Sequence, residues 1–326
     1  MKLRNLAAAT FAAGALAALS GAAFATDKVT FLTSWYAQAE HGGFYQAKAS
    51  GLYEKAGLDV TIKMGGPQVN GMQLLLAGET DLMMGYDFQV LKSLEQNFPV
   101  TTVAASFQFD LQGMMTHEDV TGLGDLKGKT ILIATSGRST WWPWLKGRFG
   151  YTEDQAKPYT FNLQPFFADK NTAQQGYPSS EPFQAMKQRV SAKFFIFAKD
   201  GYPPYGTTMV VTKAFLDKNP DVVARFVKAS LQGWVDYLKD PEAGNRLIKE
   251  ANPKMGDEQI AYAVKWMNEN TAVTDGDAAH HGVGIMTEAR WKATYDYMVG
   301  AGLLKPGVDW KAAYTDRFVK DLKVGM

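Results

Sequence analysis

The sequence contains no cysteine, which excludes disulfide bonds, thiolate metal sites, cysteine nucleophiles and lipid attachment to an N-terminal cysteine. It also has no excess of one charge, because 34 basic residues stand against 33 acidic ones. A nucleic-acid partner requires a basic surface, so none is expected. After the N-terminal region, no apolar run is long enough to span a bilayer.

The first 25 residues have the pattern of a cleavable signal peptide. Lys2 and Arg4 precede an Ala- and Leu-rich run over residues 6–19, and Ala-Phe-Ala at 23–25 fits a small-x-small cleavage site. An uncleaved membrane anchor is disfavoured because the run is short and weakly hydrophobic. We therefore expect a periplasmic protein, in which removal of two of the 34 basic residues leaves 32 against 33 acidic ones.

The stretch 29–62 predicts a βαβ unit, with one amphipathic helix between two strands. The helix residues that share an apolar face are Tyr45, Ala49, Leu52 and Ala56. Ligands of open α/β sheets bind at the carboxyl ends of strands, so the loop with Trp35, Tyr36 and His41 is a candidate binding loop. The alternative is that both aromatic residues belong to the core and that the histidine is solvated. Tyr86 follows another strand and is a further candidate, whereas Asp87 is expected to cap a helix.

A second candidate lies in a turn between a buried strand at 130–134 and a helix predicted to begin near Trp141. The turn consists of Ser136, Gly137, Arg138, Ser139 and Thr140. Such a turn leaves backbone N–H groups free at a positive helix end, which suits an anionic or strongly hydrogen-bonding ligand group. Arg138 would add a charge-assisted contact. The alternative is that a hydroxyl only caps the helix. Trp141, Trp142 and Trp144 cannot share one helix face, so at least one should be exposed or in the cleft.

Two segments are interpreted as crossings between lobes: the extended run 107–115 and the proline-containing run 201–205, whose backbone is restricted. The chain then divides into a first lobe, 27–110 plus 211–326, and an inserted second lobe, 111–210. Within the second lobe, the polar tract 171–183 is rich in turn residues. Adjacent His280 and His281 have no third ligand at helical spacing, so no metal is expected.

Several blocks together resemble the NMT1/THI5-like solute-binding proteins of ABC importers. They are SWYAQAEHGGFYQAKASGLYEKAGLDV, LLLAGETDLMMG, GLGDLKGKTILIA, QQGYPSSEPF, TTMVVTKAFLDKNPDVVARFVKASLQGWVDY and GVGIMTEARWKATYDYMVGAGLL. The resemblance implies a type II periplasmic-binding-protein fold, with two α/β lobes joined by two hinge crossings and a ligand cleft between them. It implies pyrimidine contacts from Trp35 and His41. By the same matching, second-lobe contacts come from 136–140 and from Gln174, Tyr177 and Glu181.

The resemblance implies a solute-binding component that captures a small heteroaromatic nutrient, similar to a thiamine pyrimidine precursor, and delivers it to a membrane permease. We expect a monomer with no cofactor and no catalytic residue. A sulfonate, nitrate or flavin ligand is the alternative within the fold, because Trp-Tyr-Ala-Gln stands where pyrimidine binders tend to have Trp-Thr-Pro-Asn. An enzyme acting on a pyrimidine precursor is disfavoured, because the fungal relatives that make the pyrimidine depend on a cysteine-rich motif and this chain has no cysteine. A ligand-sensor role stays open.

Overall fold

The computed structural model describes residues 26–326, so the predicted signal peptide lies outside the described residues. Within this range every helix is too short or too polar to cross a bilayer. The strands are β1 (Asp27–Leu32), β2 (Leu58–Lys63), β3 (Leu82–Gly85), β4 (Val100–Phe107), β5 (Gly113–Thr116), β6 (Thr130–Ile133), β7 (Ala156–Pro158), β8 (Thr172–Gly176), β9 (Lys193–Ile196) and β10 (Gly206–Thr212). The helices are α1 (Gly42–Ala49), α2 (Leu52–Lys55), α3 (Gly71–Leu76), α4 (Asp87–Glu95), α5 (Thr135–Ser139), α6 (Trp141–Phe149), α7 (Gln164–Ala168), α8 (Glu181–Lys187), α9 (Lys213–Lys218), α10 (Pro220–Lys239), α11 (Glu242–Ala251), α12 (Asp257–Glu269), α13 (Ala278–His281) and α14 (Glu288–Gly300).

The strands form two five-stranded sheets, each the centre of one lobe. The order in the first sheet is β2-β1-β3-β10-β4, and in the second it is β7-β6-β8-β5-β9. In the first sheet β1 runs parallel to β2 and β3, whereas β10 is antiparallel to β3 and β4. In the second sheet β6 is parallel to β7 and β8, whereas β5 is antiparallel to β8 and β9. The predicted α/β architecture with two lobes is confirmed.

The chain passes from the first sheet to the second between β4 and β5, and it returns between β9 and β10. Residues 206–210 were predicted to lie in the inserted lobe, yet they belong to β10 and pair with the first sheet. The lobe boundaries stay a prediction. Sheet membership places the return of the chain before Gly206.

Parallel pairing brings the loops with the predicted site residues together. β1 and β3 have their carboxyl ends at one edge of the first sheet, and β6 and β8 have theirs at one edge of the second. Loops that follow parallel strands meet at such an edge. The loops that begin at Thr33 and Tyr86 therefore lie on one side of the cleft, and those that begin at Ala134 and Tyr177 lie on the other.

The helix of the N-terminal βαβ unit is interrupted, so the prediction of one continuous helix is wrong. Gly51 has a φ of 70° and separates α1 from α2. This left-handed conformation, which glycine adopts at low cost, ends a helix. The hydroxyl of Ser50 donates to the carbonyl of Gln46 at 2.7 Å, which also satisfies a carbonyl in the last turn of α1.

Close packing of α1 on α10 positions the binding loop. A Cβ atom at Gly42 would lie 2.0 Å from the ring of Tyr237, and one at Gly43 would lie 2.2 Å from the ring of Trp234. The two helices approach this closely only because both residues lack a side chain. Both rings are buried in the core of the first lobe. The contact therefore fixes the start of α1, immediately after His41.

The three tryptophans of α6 are all buried, so the prediction that one would be exposed or in the cleft is wrong. Trp141 and Trp144 both contact Phe197, with ring centroids 5.1 and 5.5 Å apart, and Trp142 contacts Tyr151 at 5.7 Å. The helix is enclosed on more than one side, which periodicity alone does not reveal.

The polar tract 171–183 contains a strand that sequence patterns did not predict. Residues 172–176, Thr-Ala-Gln-Gln-Gly, form β8 at the centre of the second sheet, and all five are buried. Glutamine and glycine are depleted in most strands, so the sequence resembled a turn. Asp87 also differs from its prediction, since it is the first residue of α4 and not its cap.

Candidate functional site

A cavity with about 390 Å³ of empty space, part of it open to solvent, lies between the two lobes, at the sheet edges described above. The first lobe contributes Ser34, Trp35, Gln38, His41 and Tyr86 to its wall. The second lobe contributes Ser136, Gln175, Gly176, Tyr177, Ser180 and Glu181, and the first crossing contributes Gln112. Among the described residues, no lysine or arginine belongs to the wall.

The buried carboxyl group of Glu181 is the acidic group of this wall. One of its oxygens accepts from the hydroxyl of Tyr159 at 2.9 Å, and the other accepts from the backbone N–H of Tyr177 at 2.8 Å. Burial raises the pKa of Glu181 to about 7, although both hydrogen bonds act in the opposite direction. Near neutral pH this group is therefore able to serve as an acceptor or as a donor toward a ligand.

His41 is fully buried, and neither ring nitrogen has a hydrogen-bond partner among residues 26–326. Burial lowers the pKa of His41 to about 3, so the imidazole is neutral at physiological pH. A neutral imidazole has one donor and one acceptor nitrogen. Buried polar groups are rarely left unpaired, so both nitrogens are available to a bound molecule.

Aromatic residues from both lobes form another part of the wall. The ring of Trp35 stacks on that of Tyr159 with centroids 5.9 Å apart and an interplanar angle of 19°. Tyr86 and Tyr177, one from each lobe, also line the cavity. Burial raises the pKa of Tyr86 to about 12, so its hydroxyl stays protonated. The cavity thus offers ring faces together with neutral hydroxyl groups.

Direct contacts between the lobes show that the cleft is closed. The hydroxyl of Ser179 donates to the buried carboxyl group of Glu40. The backbone N–H of Thr135 donates to the carbonyl of Pro67 at 2.9 Å. Burial raises the pKa of Glu40, which favours the protonated acid in this closed arrangement.

Six predicted site residues line the cavity: Trp35, His41, Tyr86, Ser136, Tyr177 and Glu181. Six others do not line it: Tyr36, Gly137, Arg138, Ser139, Thr140 and Gln174. Gln174 precedes a lining residue in β8, and successive strand side chains point to opposite faces of a sheet. Tyr36 packs instead on Phe161, with centroids 5.7 Å apart.

The predicted anion-binding turn is the short helix α5, and its charged residue points elsewhere. Arg138 donates to the carbonyl of Ala156 at 3.3 Å and lies 3.9 Å from the carboxylate of Glu153. The N–H of Ala134, just before α5, donates to the side chain of Gln175 at 2.5 Å. Together with the bond from Thr135 to the first lobe, this means that two backbone donors at the helix start are already occupied.

The sequence analysis missed several lining residues: Ser34, Gln38, Gln112, Gln175, Gly176 and Ser180. Three of these, Gln175, Gly176 and Ser180, belong to the block QQGYPSSEPF, so the block as a whole was the available signal. Gln38 lies in the first loop, where only the aromatic residues and the histidine stood out. Gln112 lies in a crossing and carried no signal of its own.

Two lobes with a ligand-sized cavity between them define a protein of the type II periplasmic-binding-protein fold. Residues 38–244 match the family model described as NMT1/THI5 like, which is well over half of the chain. The chain belongs to the NMT1/THI5-like family, as the resemblance predicted.

Three similar proteins show the range of this family and fold. The riboflavin-binding protein RibY of Chloroflexus aurantiacus is 26% identical over 90% of this chain and 86% of its own length. The 4-amino-5-hydroxymethyl-2-methylpyrimidine phosphate synthase of Schizosaccharomyces pombe is 24% identical over 66% of this chain and 67% of its own. The periplasmic aliphatic sulphonate binding protein SsuA of Escherichia coli has a TM-score of 0.62 at 13% identity, covering 88% of this chain and 91% of SsuA. The last likeness shows the fold alone.

Proposed function

We propose that this protein is the periplasmic solute-binding component of an ABC importer, and that it captures an uncharged or cationic heteroaromatic solute for a membrane permease. The observation that carries the proposal is the composition of the cavity wall. It combines the ring of Trp35 with the neutral imidazole of His41 and the carboxyl group of Glu181, and residues 26–326 contribute no lysine or arginine to it. A planar ring with polar atoms on its edge matches such a wall.

The polar groups favour a ring that carries both a donor and an acceptor on its edge. An aminopyrimidine has an exocyclic N–H donor beside a ring nitrogen acceptor. A carboxyl group near its pKa is able to pair with both atoms, and Glu181 is such a group. His41 adds one donor and one acceptor on the opposite lobe. A thiamine pyrimidine precursor is therefore the proposed type of solute.

A flavin is the second candidate, because similarity to RibY extends over 90% of the chain. An isoalloxazine ring is also uncharged and has donors and acceptors along one edge. It is larger than a pyrimidine, so the lobes would have to stand further apart to admit its side chain.

A sulfonate or nitrate is disfavoured by charge. Oxyanions are usually held by arginine, lysine or free backbone N–H groups. Arg138 is directed at Ala156 and Glu153, and the N–H groups of Ala134 and Thr135 are already donated to protein acceptors. The carboxyl group of Glu181, where it is ionised, would in addition repel an anion.

The proposed mechanism is transport without chemical change of the solute. A solute held by one lobe gains contacts to the other on closure, which shifts the population toward the closed form that docks on the permease. The fungal relatives are enzymes, so catalysis is the competing proposal. We expect that prolonged incubation with the pyrimidine yields the unchanged compound by mass spectrometry.

The binding proposal is tested by titration calorimetry with three probes: 4-amino-5-hydroxymethyl-2-methylpyrimidine, riboflavin and ethanesulfonate. We expect heat from one of the two heteroaromatic compounds and none from the sulfonate. Small-angle scattering of the same samples should show a smaller radius of gyration with the compound that binds. Binding of ethanesulfonate alone would overturn the proposed solute class.

A further inference from the structure

Phe161 has a backbone conformation that is unfavourable for a bulky side chain. Its φ is 64°, in the left-handed region that glycine and, less often, asparagine or aspartate adopt. Before it the N–H of Tyr159 donates to the carbonyl of Ile133 at 2.9 Å, which ties the chain to β6, and after it the N–H of Gln164 donates to the side chain of Asn162 at 3.0 Å, which closes a local turn. Such outliers persist only where surrounding contacts stabilise them.

The contacts that stabilise Phe161 come mostly from the other lobe. Its ring centroid lies 6.1 Å from that of Trp35 and 5.7 Å from that of Tyr36, both in the first lobe. Within its own lobe it contacts the ring of Tyr159 at 6.4 Å. We call the four residues Trp35, Tyr36, Tyr159 and Phe161 the aromatic clasp. Trp35 and Tyr36 reach Phe161 only when the lobes close, whereas Tyr159 lies in the same lobe as Phe161.

Phe161 does not line the cavity, whereas Trp35 does. An effect of Phe161 on a bound solute must therefore act through Trp35 and through lobe closure. We propose that Phe161 is a positioning residue that locks the aromatic clasp and sets the time for which the closed protein retains its solute. This inference rests on the proposed solute-binding function. It assigns a kinetic role to a residue outside the cavity wall.

The first test measures retention of the solute. The probe is whichever of the pyrimidine and riboflavin binds, and its dissociation is followed by stopped-flow tryptophan fluorescence. Phe161→Gly removes the ring and relieves the backbone, so loss of two interlobe ring contacts should speed dissociation roughly ten- to hundredfold. The association rate should change little, and the melting temperature should not fall. Phe161→Tyr keeps the ring and should retain the wild-type dissociation rate.

The second test needs no solute and so separates this proposal from the proposed function. Lys187 and Glu258 are exposed and form an ion pair across the lobes, so we expect them to separate when the lobes open. Because the chain has no native cysteine, Lys187→Cys combined with Glu258→Cys gives one unique pair for a short bifunctional maleimide. The rate of cross-linking reports the closed population even when it is small. We expect Phe161→Gly to lower this rate about tenfold or more.

Phe161→Leu provides a second variant that keeps apolar volume, with Phe167→Leu as its matched control. Phe167 lies in the same part of the second lobe but packs on Phe166 within that lobe. Only the change at Phe161 should slow cross-linking. Equal cross-linking rates in the wild type and in both Phe161 variants would overturn the proposal, whether or not a probe binds. If neither probe binds but cross-linking slows, the role of Phe161 in closure holds and the assigned solute class fails.

Discussion

The first prediction concerns Asp110, a buried residue in the crossing between β4 and β5. One of its carboxyl oxygens accepts from the backbone N–H of Gln112 at 2.9 Å. The other has no hydrogen-bond partner among residues 26–326. Burial raises the pKa of Asp110 from an ordinary value of 3.8 to about 7. The folded protein therefore binds a proton at this site more tightly than the unfolded chain does.

The sign of the pH dependence follows from this difference. Below about pH 4 the group is protonated in both states and has no effect on stability. As the pH rises from about 4 to about 7 the unfolded chain ionises first, so the free energy of unfolding decreases. A pKa raised by about three units corresponds to a loss of about 4 kcal/mol, complete above pH 7.

Asp110→Asn tests this reasoning, because asparagine keeps the acceptor for Gln112 and never ionises. The free energy of unfolding of the variant should exceed that of the wild type by about 4 kcal/mol at pH 8 and should be nearly equal at pH 4. Chemical denaturation at several pH values measures both quantities. Asp59→Asn is the control, because Asp59 is exposed on β2. A difference between Asp110→Asn and wild type that is the same at pH 4 and pH 8 would refute the argument.

Three further predictions concern the cavity. Trp35→Ala should weaken solute binding at least tenfold by calorimetry and leave the melting temperature nearly unchanged, because Trp35 is half-buried; unaltered affinity would remove it from the site. Gly176→Ala should weaken binding by a similar factor, since its Cβ atom would lie 2.5 Å from the carboxyl group of Glu181, whereas Gly147→Ala, with no atom within 4 Å, should bind like wild type. Arg138→Ala should leave affinity within about twofold in a parallel titration, because its side chain points away from the cavity; a large loss would restore the oxyanion hypothesis.

The sequence was sufficient to predict the α/β class, the two lobes and the strands β1, β2, β3 and β6, because apolar residues mark these strands. It failed at β8, where the polar side chain of Gln175 lines the cavity, so the strand lacks the apolar residues by which a buried strand is predicted. Local rules and global structure are expected to conflict at such positions. The sequence shows a glycine at position 51 but does not show that its φ is positive. Because glycine is also tolerated inside helices, the end of α1 could not be predicted there.

The candidate site was predictable in its loops but not in its side-chain directions. Trp35 was found from its position after the first strand and Glu181 from the family pattern, and their loops lie at the facing edges of the two sheets. Arg138 was misplaced because its partner Glu153 lies beyond the next helix and competes for the charge. The contact between Glu40 and Ser179 spans 139 positions, so no local pattern reveals it.

The second lobe is joined to the first sheet at one place. Phe107 at the end of β4 and Gly206 at the start of β10 are direct neighbours in the antiparallel ladder. Residues 108–205 therefore form an insertion between the ends of two paired strands. A small rotation at the ends of β4 and β10 would move the far end of this insertion over a long distance, while the hydrogen bonds between the two strands stay intact. Joining Phe107 to Gly206 by a short turn should accordingly yield an isolated first lobe with its sheet intact.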